Sequence, residues 1–377
     1  MPPRIIKHIE HLFKRILNLP FYILIGKGDV ARIPVNAENI KSVLFLRPDK
    51  LGDMIATIPA MHAVKEHFPH IRVEVLASPK NYSMIAGDPG IDQVHLYTKN
   101  VLKDLLTIRR LRKKRFDLVY DPICHDSTTG LLLTKLIGKK AVHAAARKLS
   151  LRRYYDFCRP YEPDGDDHNI DNGLLIFEAF GIDPQTVNPF LPVFISEKSR
   201  SKADRFYSGL PDDNHYLVGV NISAGSPTRT LSMDKYARII NEINRRHKDF
   251  RFIIFCVMEQ RGEAGELIKK CGADARLIPE NLSLLDIGAI MNRLDILISP
   301  DTSMVHIAGT MQIPVVGLYS GHLRNFRFWR PYRQEFGAVV AKNIQNLFDI
   351  EPENVVDEFE RLYESLMSKA AADSKQD

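Results

Sequence analysis

Residues 295–319, DILISPDTSMVHIAGTMQIPVVGLY, bring together the side chains best placed for chemistry. An apolar run at 296–298 ends in Ser-Pro-Asp-Thr-Ser, followed by a small-residue helical segment and a second apolar run at 315–319. That order predicts strand, tight turn, helix, strand, with Asp301, Thr302 and Ser303 at the helix N-terminus. Unpaired backbone N–H groups and the helix dipole make such a terminus an anion site suited to a phosphate. The same residue types are also ordinary caps in any α/β protein, so the segment alone leaves both readings open. His306 lies one turn beyond Thr302 on the same face, where a second donor to a diphosphate belongs, although a lone histidine is more often simply packed.

Three further stretches fall in comparable places. The turn RPDKLGD, residues 47–53, follows the apolar run 43–46 and precedes a helix. Gly52 permits a tight backbone there, and Asp53 projects from the helix start. Its carboxylate, kept ionised by the dipole, can take a proton from a hydroxyl nucleophile. An N-cap is the plainer alternative. After a strand ending near residue 221, ISAGSPTRTLSMDKY places Gly225 where the backbone is held open and Arg229 where its planar fork of donors matches a phosphate. Glu259 and Glu263 follow the run RFIIFCV, where doubly wound nucleotide sites set an acid on ribose hydroxyls, and Glu263 is the better placed. Two decoys carry less weight. Asp164-Gly165-Asp166 matches a metal-chelating DxD tripeptide but sits in an acidic linker, and GKGD at 26–29 has neither the spacing nor the ending of a Walker loop.

These positions need a scaffold, and the pattern supplies one. Strand-like runs at 43–46, 72–77, 93–97 and 117–120 alternate with helical segments at 54–67 and 101–114. A second alternation has strands at 216–221, 251–257, 275–278, 296–298 and 315–318, and a helix closes the chain at 352–369. Alternation of this kind predicts parallel sheets covered on both faces. Two such domains leave a cleft between the carboxyl edges of their sheets. The boundaries are read as an N-terminal basic amphipathic helix and hairpin at 1–36, one Rossmann-like domain at 37–185, a second at 186–345, and a C-terminal helix with a polar tail at 346–377.

With 377 residues, 45% of them hydrophobic and 26% charged, the chain has the composition of a globular protein that buries two cores. The formal net charge of +6 suits anionic partners without choosing among them. Four scattered cysteines suggest neither zinc nor a disulfide framework, and no apolar run is long enough to span a membrane. The first 26 residues read as a basic amphipathic helix without a signal-peptide cleavage pattern. Such a helix lies on an anionic bilayer or packs on the following domain. IRRLRKKRF, residues 108–116, is the strongest positive run. It reads as the solvated C-terminal end of a helix, with a docking surface for a phosphorylated acceptor as the alternative. No aromatic platform or nucleic-acid motif accompanies it, which argues against a nucleic-acid partner.

The segment SLLDIGAIMNRLDILISPDTSMVHIAGTMQIPVVGLYS is similar to the part of glycosyltransferase family 9, the ADP-heptose:lipopolysaccharide heptosyltransferases, that is built round an Asp-Thr-Gly-x-x-His core. LFLRPDKLGDMIATIPAMHAVKEHFP resembles the same family's Gly-Asp motif, and the likeness runs over 43–332. The resemblance implies an α/β GT-B fold, in which 186–345 hold a nucleotide-sugar donor, ADP-heptose, and 37–185 face a lipid-linked saccharide acceptor of the lipopolysaccharide core or a related one. It further implies inversion with no metal or other cofactor, in a cytoplasmic enzyme working at the inner membrane face. Carried over by position, Asp53 is the general base and Asp301 touches the donor sugar. Thr302, Ser303 and His306 hold the diphosphate, Arg229 stands where many members have a phosphate-binding lysine, and Trp329 and Pro331 fall in a Trp-x-Pro element. Ser303 replaces the family glycine, Arg229-Thr230-Leu231 replaces Lys-Arg-Trp, and the glycine pair expected near 258–262 is absent. A GT-B protein that binds nucleotide sugar without transferring it, and a UDP-sugar 2-epimerase-like enzyme, are the alternatives on the same fold.

Overall fold

β1 (Ser42–Arg47) is buried at all six positions, as a strand covered by helices on both faces must be. A computed structural model describes residues 26–162, 165–189, 193–211 and 215–373. Around β1 gather β2 (Arg72–Ala77), β3 (Gln93–Leu96), β4 (Leu118–Asp121), β5 (Val142–Lys148) and β6 (Phe157–Pro160), all parallel, in the order β3-β2-β1-β4-β5-β6. Their helices in chain order are α1 (Leu51–Ile55), α2 (Ile58–His67), α3 (Val101–Lys114), α4 (Thr128–Ile137), α5 (Asn169–Leu174) and α6 (Ile176–Ala179).

The second half repeats the plan with β7 (Tyr216–Asn221), β8 (Phe250–Phe255), β9 (Asp274–Leu277), β10 (Ile296–Pro300), β11 (Val315–Tyr319) and β12 (Phe336–Val340). Their order is β12-β11-β10-β7-β8-β9, again parallel. The helices here are α7 (Glu197–Ser208), α8 (Met233–Arg246), α9 (Arg261–Lys270), α10 (Leu284–Met291), α11 (Ser303–Thr310), α12 (Leu323–Trp329) and α13 (Pro352–Asp373). In both sheets the first strand of its half lies beside the fourth. The order reverses there, and a crevice opens outside the strands' carboxyl ends. Four loops surround these two crevices, following β1, β4, β7 and β10.

The expected alternation is therefore present, with local corrections. Residues 26–36 form no hairpin. Asp29 caps a 3-10 turn at Val30–Arg32, Pro34 has no N–H to give a ladder, and Arg32 is bound to Asp156 and the Ala141 carbonyl. The single helix expected at 54–67 is two, because Pro59 cannot donate to the carbonyl four residues back and the chain breaks at Ala56 and Thr57. The N-terminal amphipathic helix falls within residues 1–25, outside the described residues.

One hydrophobic core runs through both halves, joining Val43, Phe45 and Met61 of the first to Ile290, Leu297 and Ile307 of the second. Polar ties cross the same junction. Buried His168 Nε2 donates to the Arg330 carbonyl at 2.7 Å, and its Nδ1 accepts the Ile170 N–H at 3.1 Å. Those two bonds fix the neutral tautomer, and burial pushes the imidazole down to about 3 from the ordinary 6.5. His143 is held the same way, donating to the Gly138 carbonyl and accepting from Lys135, and burial pushes it down to about 4. Both folded-state values lie below the unfolded one, so unfolding takes up protons. The stabilisation is complete above about pH 6.5 and is lost as pH falls toward 4 for His143 and 3 for His168. Each histidine then contributes a slope of about 1.4 kcal/mol per pH unit. Urea unfolding from pH 7 to 5 checks this, and His168→Gln should flatten the slope by one histidine's share; an unchanged slope refutes the assignment.

Candidate active site

The turn at Asp301 takes the expected form. β10 ends at Pro300, Thr302 caps α11 by accepting the Met304 N–H at 3.3 Å, and Ser303 is the first helical residue. Thr302 Oγ1 also accepts from Asn221 Nδ2, which donates to Ser299 as well, so the last residue of β7 pins the cap of the helix after β10. Arg229 closes the loop after β7. Its Nη2 reaches the Asp301 carbonyl at 2.7 Å and Oδ2 at 2.8 Å, and Asn325 Nδ2 binds the same Oδ2 at 2.9 Å. Arg229 and Asp301 are thus partners of each other, a pairing that spacing could not reveal.

Asp53 is the third residue of α1, with its side chain 22% exposed and Oδ1 3.9 Å from Arg47 Nη1. Arg47 is fully enclosed at the end of β1. It also binds Asp49 at 2.7 Å, the Thr57 hydroxyl at 2.7 Å and the Pro122 carbonyl, so it fixes the carboxylate-bearing turn to the loop after β4. Burial pushes Asp49 up from the usual carboxylate range against the pull of Arg47, whereas burial of Arg47 itself is outweighed by Asp49 and Asp53 and its value is raised.

The two turns meet. A β-carbon on Gly52 would lie 3.4 Å from His306 Cδ2 and 3.9 Å from Trp329. These are ordinary packing distances, so α1 and α11 lie in contact here without the contact itself demanding a glycine. His306 packs against Trp329, ring centres 4.8 Å apart and planes tilted by 43°. Burial lowers its value while the charges of Asp301 and Asp53 act to raise it. Beside it opens a cavity of about 330 Å³ shared by the halves, lined by Asp53, Ile123, Cys124, His125, Tyr161 and Asn169 from one and His322, Arg324, Asn325 and Phe328 from the other. Arg324 also lies 5.0 Å over the Tyr161 ring, a cation–π contact across the gap.

Two expected residues stand apart. Glu263 is exposed in the first turn of α9, and among the described residues nothing ties it to the Asp301 turn. Gly225 is exposed with open space round it, so no contact demands a glycine. Of the DxD tripeptide, Asp164 is outside the described residues and Asp166 pairs with Arg330 at 3.3 Å. Arg47, His125, Arg324 and Asn325 were missed. Arg47 ends an apolar run and Asn325 sits in LRNFRFW, so only the strand order, which brings distant loops to one crevice, identifies them.

The geometry has parallels among known proteins. Residues 105–359, more than half of the chain, match the model of glycosyltransferase family 9 (heptosyltransferase). The lipopolysaccharide core heptosyltransferase OpsX of Haemophilus influenzae is 22% identical over 337 residues, 87% of this chain and 89% of that protein. Among solved structures, a family 9 glycosyl transferase from Veillonella parvula superposes with a TM-score of 0.71 at 20% identity, covering 85% of this chain and 97% of that one. The Escherichia coli heptosyltransferase WaaC, solved with ADP, gives 0.63 at 14% identity, covering 86% and 98%. These likenesses establish the GT-B arrangement of the two sheets.

Proposed function

The chain belongs to glycosyltransferase family 9, the heptosyltransferases, and from that premise we propose that it moves heptose from ADP-heptose to a saccharide of the lipopolysaccharide core or a related lipid-linked acceptor. The observation that carries the reading is the meeting of the Asp53 turn with the Asp301 turn beside one cavity built from both halves. That WaaC was solved with ADP supports an adenine nucleotide here.

In this reading the acceptor hydroxyl enters the shared cavity and gives its proton to Asp53. The oxygen attacks the anomeric carbon from the face opposite the departing nucleoside diphosphate, a carbon–oxygen bond forms as the one to phosphate oxygen breaks, and configuration inverts. Negative charge grows on the diphosphate. Arg229 and the N–H groups at Thr302 and Ser303 lie where that charge develops, and they do the work a metal does elsewhere. His306, neutral at physiological pH, donates one N–H. Arg229 must loosen its hold on Asp301 to reach phosphate, which frees Asp301 for a hydroxyl of the donor sugar. His125, His322 and Arg324 suit an acceptor carrying acidic groups.

Calorimetry with ADP, UDP and GDP tests the donor, and preference for UDP or GDP would overturn the adenine assignment. Arg229→Met should weaken ADP binding about 10- to 100-fold, the worth of a hydrogen bond to a charged group. Unchanged affinity removes Arg229 from the donor site. Transfer that persists undiminished in EDTA supports the metal-free reading, and its loss revives a metal.

A further inference from the structure

α3 follows the edge strand β3 and carries its apolar residues on the outside. Val101, Leu102, Leu105 and Leu106 are 81, 75, 61 and 56% exposed, while its inward side is made by Asp104 and Leu111. At helical spacing, positions 102, 105, 106, 109, 112 and 113 share one face. Its first half is three leucines and its second half is Arg109, Arg112 and Lys113. The basic half borders a groove of about 970 Å³ completed by Lys139 and Lys140 after α4. Among the described residues none of these five cations is paired with a carboxylate. Asp117, the groove's acid, is occupied by the Ser42 hydroxyl and the backbone N–H groups of Lys41 and Ser42.

An exposed leucine row continuous with unneutralised cations is costly in water unless something covers it. We infer that this face docks on an anionic phospholipid bilayer, with Leu102, Leu105 and Leu106 seated at the headgroup–acyl boundary and the groove taking lipid phosphates. Charge complementarity selects this occupant. Residues 1–25 include Arg4, Lys7, Lys14 and Arg15, so like charge disfavours them as the occupant of a positive groove. Apolar area plus attraction to acidic headgroups is what holds interfacial helices. The helix also runs from the carboxyl edge of the sheet toward the other edge, so its leucine end lies on the side of the cleft. The leucine end and the Asp53 turn thus lie at the same, carboxyl edge of the first sheet. The inference goes beyond sugar transfer and is read without donor or acceptor.

Flotation of the full chain with vesicles of phosphatidylglycerol and phosphatidylcholine, against phosphatidylcholine alone, tests it. Binding to the anionic vesicles only is expected. Arg109→Gln with Lys113→Gln should lower the partition about 30-fold, two cations' worth near an acidic surface. Leu102→Gln with Leu106→Gln, both exposed and so tolerated by the fold, should weaken it independently. If both double variants float like the parent, residues 1–25 or another surface does the binding and the inference fails. It fails equally if the parent ignores anionic vesicles, or if it is a dimer in solution that Leu102→Gln with Leu106→Gln turns into a monomer.

Discussion

Asp53→Asn should keep the parent's affinity for ADP and turn over about 100-fold or more slowly, the usual contribution of a positioned base. The change is nearly isosteric and leaves Arg47, Asp49 and the Thr57 hydroxyl in place, so the turn keeps its shape while the proposed proton acceptor is lost. Asp53 faces the cavity at 22% exposure, whereas Asp49, the other acid on Arg47, is held directly by that guanidinium at 2.7 Å and is shifted toward its protonated form by burial. The two carboxylates are therefore not interchangeable, and Asp49→Asn should reduce turnover far less. Single-turnover kinetics with saturating donor separates chemistry from binding. Full residual turnover in Asp53→Asn removes this residue from the chemistry, and a larger loss in Asp49→Asn transfers the role to its neighbour.

The parts that the sequence made legible are those encoded within one element and its flanking turn. Helix 101–114 and the strand–turn–helix–strand at 295–319 follow from local periodicity and turn residues, and both stand as expected. The places of Asp53, in the first turn of α1, and of Asp301, just before the cap of α11, were legible for the same reason, since each turn joins a buried strand to a helix. Residues whose meaning depends on strand order were not. Arg47 reads as a polar end to an apolar run, and nothing near it in the chain discloses that Asp49, Thr57 and the loop after β4 converge on it. Asn325 gains its place only when β11 lies beside β10. Two local signals were misread: the hairpin expected before residue 36, where a 3-10 turn stands, and Pro59, where the apolar spacing continues while the hydrogen-bond ladder cannot. The exposed leucines of α3 illustrate the opposite limit, since amphipathic spacing does not say which face turns outward.

Lys148→Met should destabilise the protein by about 3–5 kcal/mol, the cost of removing one member of a buried ion pair. Lys148 and Asp121 are both completely enclosed, with Nζ 2.9 Å from Oδ2, and Nζ also donates to the carbonyls of Ile123 at 2.6 Å and His125 at 3.2 Å. The ammonium thus spends all three donors inside the protein. Methionine fills the volume but leaves the Asp121 charge, among the described residues, with the Tyr155 hydroxyl and the Ile123 N–H, and it abandons two carbonyls of the loop after β4. Asp121→Asn added to Lys148→Met removes the stranded charge, so the double variant should be more stable than Lys148→Met alone, the signature of coupling in a double-mutant cycle. The same loop carries Cys124 and His125 into the cavity beside Asp53. With the donor held by the other half, as proposed, loosening the loop should raise the acceptor KM while ADP affinity stays near the parent's. Urea unfolding supplies the first measurement and steady-state kinetics the second. An unfolding midpoint equal to the parent's would show that this lysine is dispensable to the fold, and a rise in ADP Kd matching that in acceptor KM would show that the two halves of the cleft are not separately held.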